Sequence, residues 1–270
     1  MVESNDKKSS NNGQSLVNLA VDLAKSVPLD ENSKNIAGHE LGKTVVTLTK
    51  AINLVLSPLA GTVYGYEKIH DFVIKTLQGK LNKVPKENVI PPKGNIVGPA
   101  LESLKFLDDT QNDMLLKNMY ANLIASAINK DKEESVHPAF VEVINQLDSK
   151  DISLLEAFRK QTSIPFIRIY SRSAPDSLGQ SILLRYLFHK EIRSQIEHFS
   201  LNSSIDNLER LKLITVYSEH YYTDDTLYDE MRTCETYTSA QMTLGQRFVE
   251  SKGMVEITAF GTKFLHSCTD

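Results

Sequence analysis

Four prolines, at 85, 91, 92 and 99 in the run VPKENVIPPKGNIVGP, interrupt a first half that is otherwise helical in pattern. Each ring fixes φ and removes a backbone donor, so no helix can run through the whole segment, and an extended linker is expected near 84–99. On the N-terminal side, Leu41, Val45, Leu48, Ile52, Val55, Leu59, Val63, Tyr66, Val73 and Leu77 recur mainly by threes and fours, which places them on one helical stripe. Pro58, with Gly61 and Gly65, predicts a kink or break at 57–61. A shorter amphipathic helix carries Leu16, Leu19, Ala20 and Leu23 and should stop before Pro28. On the C-terminal side, helices are expected over 100–107, 113–129 and 139–147, with Pro138 at a helix start. Asp148 and Asp151 then form the acidic start of a further helix carrying Ile152, Leu155 and Phe158.

The second half has a different texture, since every arginine lies after position 158. The segment SIDNLERLKLITVYS reads as a capped helix, with Ile205, Leu208 and Leu211 inward, running into a strand at 213–217. Near the end, Met254, Val255, Glu256, Ile257 and Thr258 alternate as a strand, and the chain turns at Gly261 into a short last helix. Helix, strand, excursion, strand and helix is the order of a winged helix-turn-helix module. The expected fold is therefore mainly α: a disordered tail over 1–15, a helical bundle over 16–148 and an α+β winged-helix-like domain over 149–270.

Composition narrows the chemistry. Thirty basic residues against 34 acidic give a net charge of -4, so no bulk basic field draws the chain onto nucleic acid or anionic lipid. Cys234 and Cys268 are too few for a disulfide scaffold or a zinc framework and suit a reducing cytoplasm. The opening stretch is polar and lacks the apolar core of a secretory signal. Residues 51–66 carry no charge, but they fall short of a membrane span and include Asn53, Ser57, Pro58 and Thr62.

Specific motifs are few. The run AGHELGKT at 37–44 ends like a phosphate-binding loop, yet its first glycine is displaced by one position and no strand precedes it. The seven histidines show no paired zinc-ligand spacing, and no nucleophile elbow or dinucleotide fingerprint is present. Asp224, Asp225, Asp229 and Glu230 read as the acidic, solvated start of a helix. No catalytic, cofactor or metal residue is assigned, and no enzyme activity is expected. If the helix over SIDNLER met DNA, Asn202, Asn207 and Arg210 would be its readers, against repulsion from Asp206 and Glu209.

Three stretches together resemble the Abi-alpha (abortive infection alpha) family of bacteria: VPKENVIPPKGNIVGPALESLKFLDDT leading to LLKNMYANLIASAINKDKEESVHPAFVEVINQLDSKD, then SIDNLERLKLI, then ITAFGTKFLHSC. The proline-bounded entry, the Val136-His137-Pro138 step and the closing Phe260-Gly261 carry the resemblance. It implies a role in phage defence, in which an infected cell is halted before virus spreads, and it transfers no catalytic residue. One departure stands out: Lys212 occupies a place where members often have glycine before Leu-Ile, and a positive φ there would be uncomfortable for lysine. The expected function is a non-enzymatic defence protein, with a helical effector or scaffold half and a sensing half that docks a protein or phage component. The alternatives are a DNA-binding regulator and a membrane-disrupting effector using 51–66.

Overall fold

The computed structural model describes residues 66–81, 83–91, 93–194 and 198–269. The expected tail, the helix before Pro28, the kink at 57–61, the phosphate-loop lookalike and the uncharged run up to residue 65 all lie outside these residues.

Helix α1 (Tyr66–Leu81) carries the end of the apolar stripe, and its Val73 and Leu77 are buried. The proline segment that follows is only partly a linker. Val89 bridges Asn129, and Ile90 donates its N–H to the Ile128 carbonyl at 2.8 Å. Helix α2 (Gly94–Leu104) then begins inside the segment and contains Pro99. Pro99 is the sixth residue of the helix, past the first turn, so its missing N–H leaves the Asn95 carbonyl without its usual i+4 donor. Ile96, Ala100 and Leu104 form the buried stripe.

Helix α3 (Gln111–Ala127), capped by Thr110, is enclosed over its last turns, with every residue from Met119 to Ala127 buried. Helix α4 (Ala139–Asn145) follows Pro138, and His137 Nδ1 accepts the Ala139 N–H. Helix α5 (Ser149–Ala157) starts with a reciprocal capping box between Asp148 and Asp151.

A four-stranded antiparallel sheet occupies the second half and overturns the expected mainly helical, winged-helix fold. Its strands are β1 (Ser163–Arg172), β2 (Gln180–Leu187), β3 (Ile214–Tyr217) and β4 (Phe248–Ile257), in the order β2-β1-β4-β3. The expected pair is β3 with β4, where Ile214 faces Ile257 and Tyr217 faces Met254. A winged helix would stop at that small ribbon. Here β4 is twice as long as the segment read from the sequence, and its other edge pairs with β1 from Ser163↔Glu256 to Ser171↔Phe248.

The β1–β2 hairpin escapes a period-two reading because β1 is buried on both faces and β2 contains register shifts. Ile164 and Phe166 face the helices, whereas Ile167 and Ile169 face the opposite side. Helices α6 (Lys190–Arg193) and α7 (His198–Arg210) connect β2 to β3. Helix α7 starts well before the expected SIDNLER. Between β3 and β4 come a 3-10 turn (Asp225–Tyr228), α8 (Asp229–Thr233) and α9 (Glu235–Leu244). Helix α10 (Ala259–Cys268), capped by Thr258, closes the described fold.

One apolar core runs from Val73 to Cys268 and is continuous across residue 148. Helix α10 packs on α3, where Asn122 Nδ2 donates to the Cys268 carbonyl at 2.9 Å and Ser126 Oγ to that of Ser267 at 3.0 Å. Rings of Phe140, Phe260 and Phe264 join α4 to the same helix. Gly261 is required at this junction, since a Cβ there would stand 2.1 Å from the Leu213 carbonyl oxygen.

Candidate functional site: the outer face of the sheet

The excursion between β3 and β4 folds back over the side of the sheet turned away from the main core. Tyr228, Met231 and Tyr237 come down on Ile167, Ile169, Leu184 and Leu187, forming a second, smaller apolar cluster. Alternation along β4 turns Glu250 and Lys252 to this same face.

Above the apolar cluster lies a connected set of charges. Arg232, on α8, donates to Glu250 Oε1 at 2.7 Å, to Asp225 Oδ2 at 2.9 Å and to Asp229 Oδ1 at 3.4 Å. Tyr237 Oη donates to Glu250 Oε2 at 2.5 Å. Lys252 bonds Asp225 and holds its ammonium 5.2 Å from the Tyr228 ring centroid and 5.5 Å from that of Tyr221.

Each titration follows from these bonds. The Arg232 and Lys252 side chains hold the Asp225 carboxyl down at about 2. Burial alone would raise Glu250, but the bonds from Arg232 and Tyr237 outweigh it and leave the carboxyl below its usual range. Arg232 is pushed upward by Glu250 and then Asp225. Burial, reinforced by the bond to Glu250, takes Tyr237 up to about 12. All four shifts lock in the charge state of neutral water, which suits holding and not proton transfer.

An open cleft of about 440 Å³ lies beside this cluster, lined by Ser218, Glu219, Tyr221, Glu250, Ser251 and Lys252. Tyr221 is 53% exposed at its edge, and Arg168 fixes Ser218 Oγ at 2.9 Å. A second cleft of about 430 Å³ runs along 158–163 and ends at Tyr222, which is hydrogen-bonded to Ser163. Among the described residues, no group of three or more His, Cys, Asp and Glu side chains is arranged to hold a metal.

The acidic run is therefore more than a solvated helix start. Asp224 caps the 3-10 turn, Asp225 and Asp229 hold Arg232, and Glu230 receives Arg193 at 2.6 Å. Its basic and tyrosine partners escape sequence reading because they lie up to 37 residues away. The alternation Phe248, Glu250, Lys252 was the available signal, and it becomes usable only once β4 is extended back to Phe248.

The expected DNA readers lie elsewhere, on α7, and are turned to the protein's own structure. Asn207 Nδ2 donates to the Gln146 carbonyl at 2.9 Å and to Asp151 Oδ2 at 2.7 Å. Arg210 donates to Gln146 Oε1 at 2.9 Å and to Asn207 Oδ1 at 2.6 Å. Asn202 turns its Oδ1 inward, where no partner among the described residues meets it. Asn207 and Arg210 thus brace α7 against the α4–α5 junction. Cys268 is fully enclosed, and burial pushes its thiol well above the ordinary value. Among the described residues, no helix is long and apolar enough to cross a membrane.

Comparison with known proteins gives one strong match. The family model described as abortive infection alpha matches residues 65–268. No curated protein matches the chain. Among solved structures, an uncharacterized protein from the hydrocarbon-degrading marine bacterium Alcanivorax borkumensis SK2 is similar at 13% identity, covering 52% of this chain and 96% of that one. Its TM-score is 0.32, which adds nothing to the fold described above.

Proposed function

The chain belongs to the abortive infection alpha family, and we propose that it serves abortive infection as a docking protein, using the outer face of its sheet and no reactive centre of its own. The observation that carries this reading is the saturation of the charged cluster. Asp225, Arg232, Glu250 and Lys252 are bonded to one another, and the bonds hold Asp225, Arg232 and Glu250 in their charged forms. A general acid or base needs a group that titrates near the working pH, and these three are displaced away from it. What they do accomplish is to fix the cleft wall on which Tyr221 is presented, half open to solvent, next to the exposed carboxylate of Glu219. An aromatic edge on a rigid, polar rim is the composition of a protein-recognition patch. A phage component or a host protein that reports infection is the proposed occupant.

The test is expression in bacteria with and without phage challenge, scoring survival, plaque formation and membrane potential together, for the wild type and for Tyr221→Ala with Glu219→Lys. Both side chains are exposed, so the double variant should keep its fold and its melting temperature. Loss of plaque reduction in a folded variant supports docking at this face. Unchanged protection would show that the face is not used. Hydrolysis of nucleotide, nucleic acid or peptide by the purified chain, abolished by one polar substitution, would replace the docking reading with an enzymatic one.

A further inference from the structure

We propose that the apolar corner at the start of α3 is the docking site of this chain's own residues 51–65, with Leu59 and Val63 seated against Phe106 and Met114. The direction of α1 fixes where that segment arrives. Lys117, on α3, bonds Asp109 of the α2–α3 loop at 2.6 Å and holds its ammonium 5.9 Å from the ring centroid of Phe72, on α1. At the other end, burial lowers Lys80, and the charges of Lys83 and of Lys132, just past α3, lower it further. Asn88, soon after α1, donates from Nδ2 to Asp131 Oδ2 at 2.7 Å, again beyond the end of α3. Helices α1 and α3 are therefore parallel neighbours. Tyr66 starts α1 six residues before Phe72, and Gln111 starts α3 six residues before Lys117, so both helices begin at one end. The α2–α3 loop turns at that same end, and the chain enters from residue 65 beside it.

Apolar side chains are left open at this end. Phe106, in the loop, is 78% exposed, and Met114, one turn before Lys117, is 37% exposed. The corner is held in shape by the Thr110 cap on the Asp113 N–H and by the Asp108 N–H on Asp113 Oδ2 at 3.0 Å. A preorganised apolar corner loses little freedom on binding.

The arriving segment has the composition to cover them. Residues 51–66 carry no charge, and Val63 and Leu59 continue backward the stripe on which Val73 and Leu77 are buried. The later part of that stripe packs against α3, so its earlier part is directed at the corner where α3 begins. Val63 and Leu59 precede Tyr66 by three and seven residues. That is about 5–25 Å of chain between helical and fully extended conformations, enough to reach across the corner. So short a tether sets an effective concentration in the millimolar range, above that of a second copy in dilute solution. The run also falls short of a membrane span and contains Asn53, Ser57, Pro58 and Thr62, so a protein surface suits it better than lipid.

Methyl NMR of the full chain, labelled at its methionines, decides it together with thermal melts. With a soluble paramagnetic agent present, Leu59→Asp should open the Met114 methyl to solvent and broaden it, while that of Met242, already 84% exposed, stays the same. Circular dichroism reports whether the variant is folded; if Leu59→Asp unfolds the chain, Leu59→Ala is read in the same way. Phe106→Ser should lower Tm by about 3–8 °C, whereas a ring left exposed would be silent. In the Leu59→Asp background the same substitution should change Tm little, because the contact is already lost. A Phe106→Ser chain that melts with the wild type, a Met114 signal indifferent to residue 59, or additive effects of the two substitutions would each overturn the proposal. So would protection of Met114 that weakens on dilution, which marks a second copy as the occupant. Protection that appears only with phosphatidylglycerol vesicles would assign the corner to a membrane instead.

Discussion

Lys212 is the one non-glycine residue with positive φ among the described residues, at 60°, and it ends α7 in a Schellman turn. The Leu213 N–H reaches the Leu208 carbonyl at 2.9 Å and the Lys212 N–H reaches that of Glu209 at 3.0 Å, so the left-handed step cannot relax without losing two capping bonds. A left-handed conformation costs an L-residue with a Cβ roughly 1–2 kcal/mol, and glycine avoids this. Against that, glycine adds freedom to the unfolded chain, worth about 0.4–1 kcal/mol. Lys212→Gly should therefore stabilise the fold by about 0.5–1 kcal/mol, since the lysine side chain is exposed. For a chain of this size that is a rise in Tm of about 1–4 °C. The measurement is the urea midpoint and slope of both proteins, with Lys212→Ala as the control. Alanine keeps the Cβ and removes only charge and length, so it should stay within about 0.5 kcal/mol of wild type. Destabilisation by glycine, or an equal gain from alanine, would refute the argument from backbone strain.

Four further outcomes follow from packing and charge. Leu123→Asp places a carboxylate in the middle of the fully buried stretch of α3 and should cost about 4 kcal/mol or more, read as lost soluble yield or a collapsed melting transition. Gly261→Ala drives a methyl group into the Leu213 carbonyl and should destabilise by about 2–3 kcal/mol in denaturant titration. Arg232→Met leaves Glu250 half-buried with only the Tyr237 hydroxyl and should cost about 2 kcal/mol, while the Glu250 carboxyl, followed by NMR titration, moves up. Asp225 and Glu250 are held below their ordinary values of 3.8 and 4.5, so the stability they confer is complete above those values. It is lost as pH falls, for Asp225 toward about 2. Urea midpoints between pH 2 and 6 should therefore drop on acidification, and drop less in Arg232→Met; parallel profiles would contradict the assigned coupling.

The sequence by itself determined the helices whose signals are local. Periodicity marks Ile96, Ala100 and Leu104, a polar side chain caps α5 at Asp148, and alternation marks Val255 and Ile257 on β4, because each depends on neighbours within a turn or a strand. The resemblance carried by the proline-bounded entry and the Phe260-Gly261 step likewise led to the right family. Tertiary structure alone decided the rest. The β1–β2 hairpin has no clean period, since β1 is buried on both faces and β2 is out of step with it, so only its pairing with β4 makes it a sheet. The same is true of the outer face, where Arg232, Tyr237 and Glu250 meet because α8 and α9 fold onto β4. Asn207 and Arg210 likewise look like free readers in one dimension and become braces once α4 lies beside α7. Local periodicity reflects what a residue needs from its near neighbours, whereas a charge cluster reflects which distant groups the packed core brings within bonding distance.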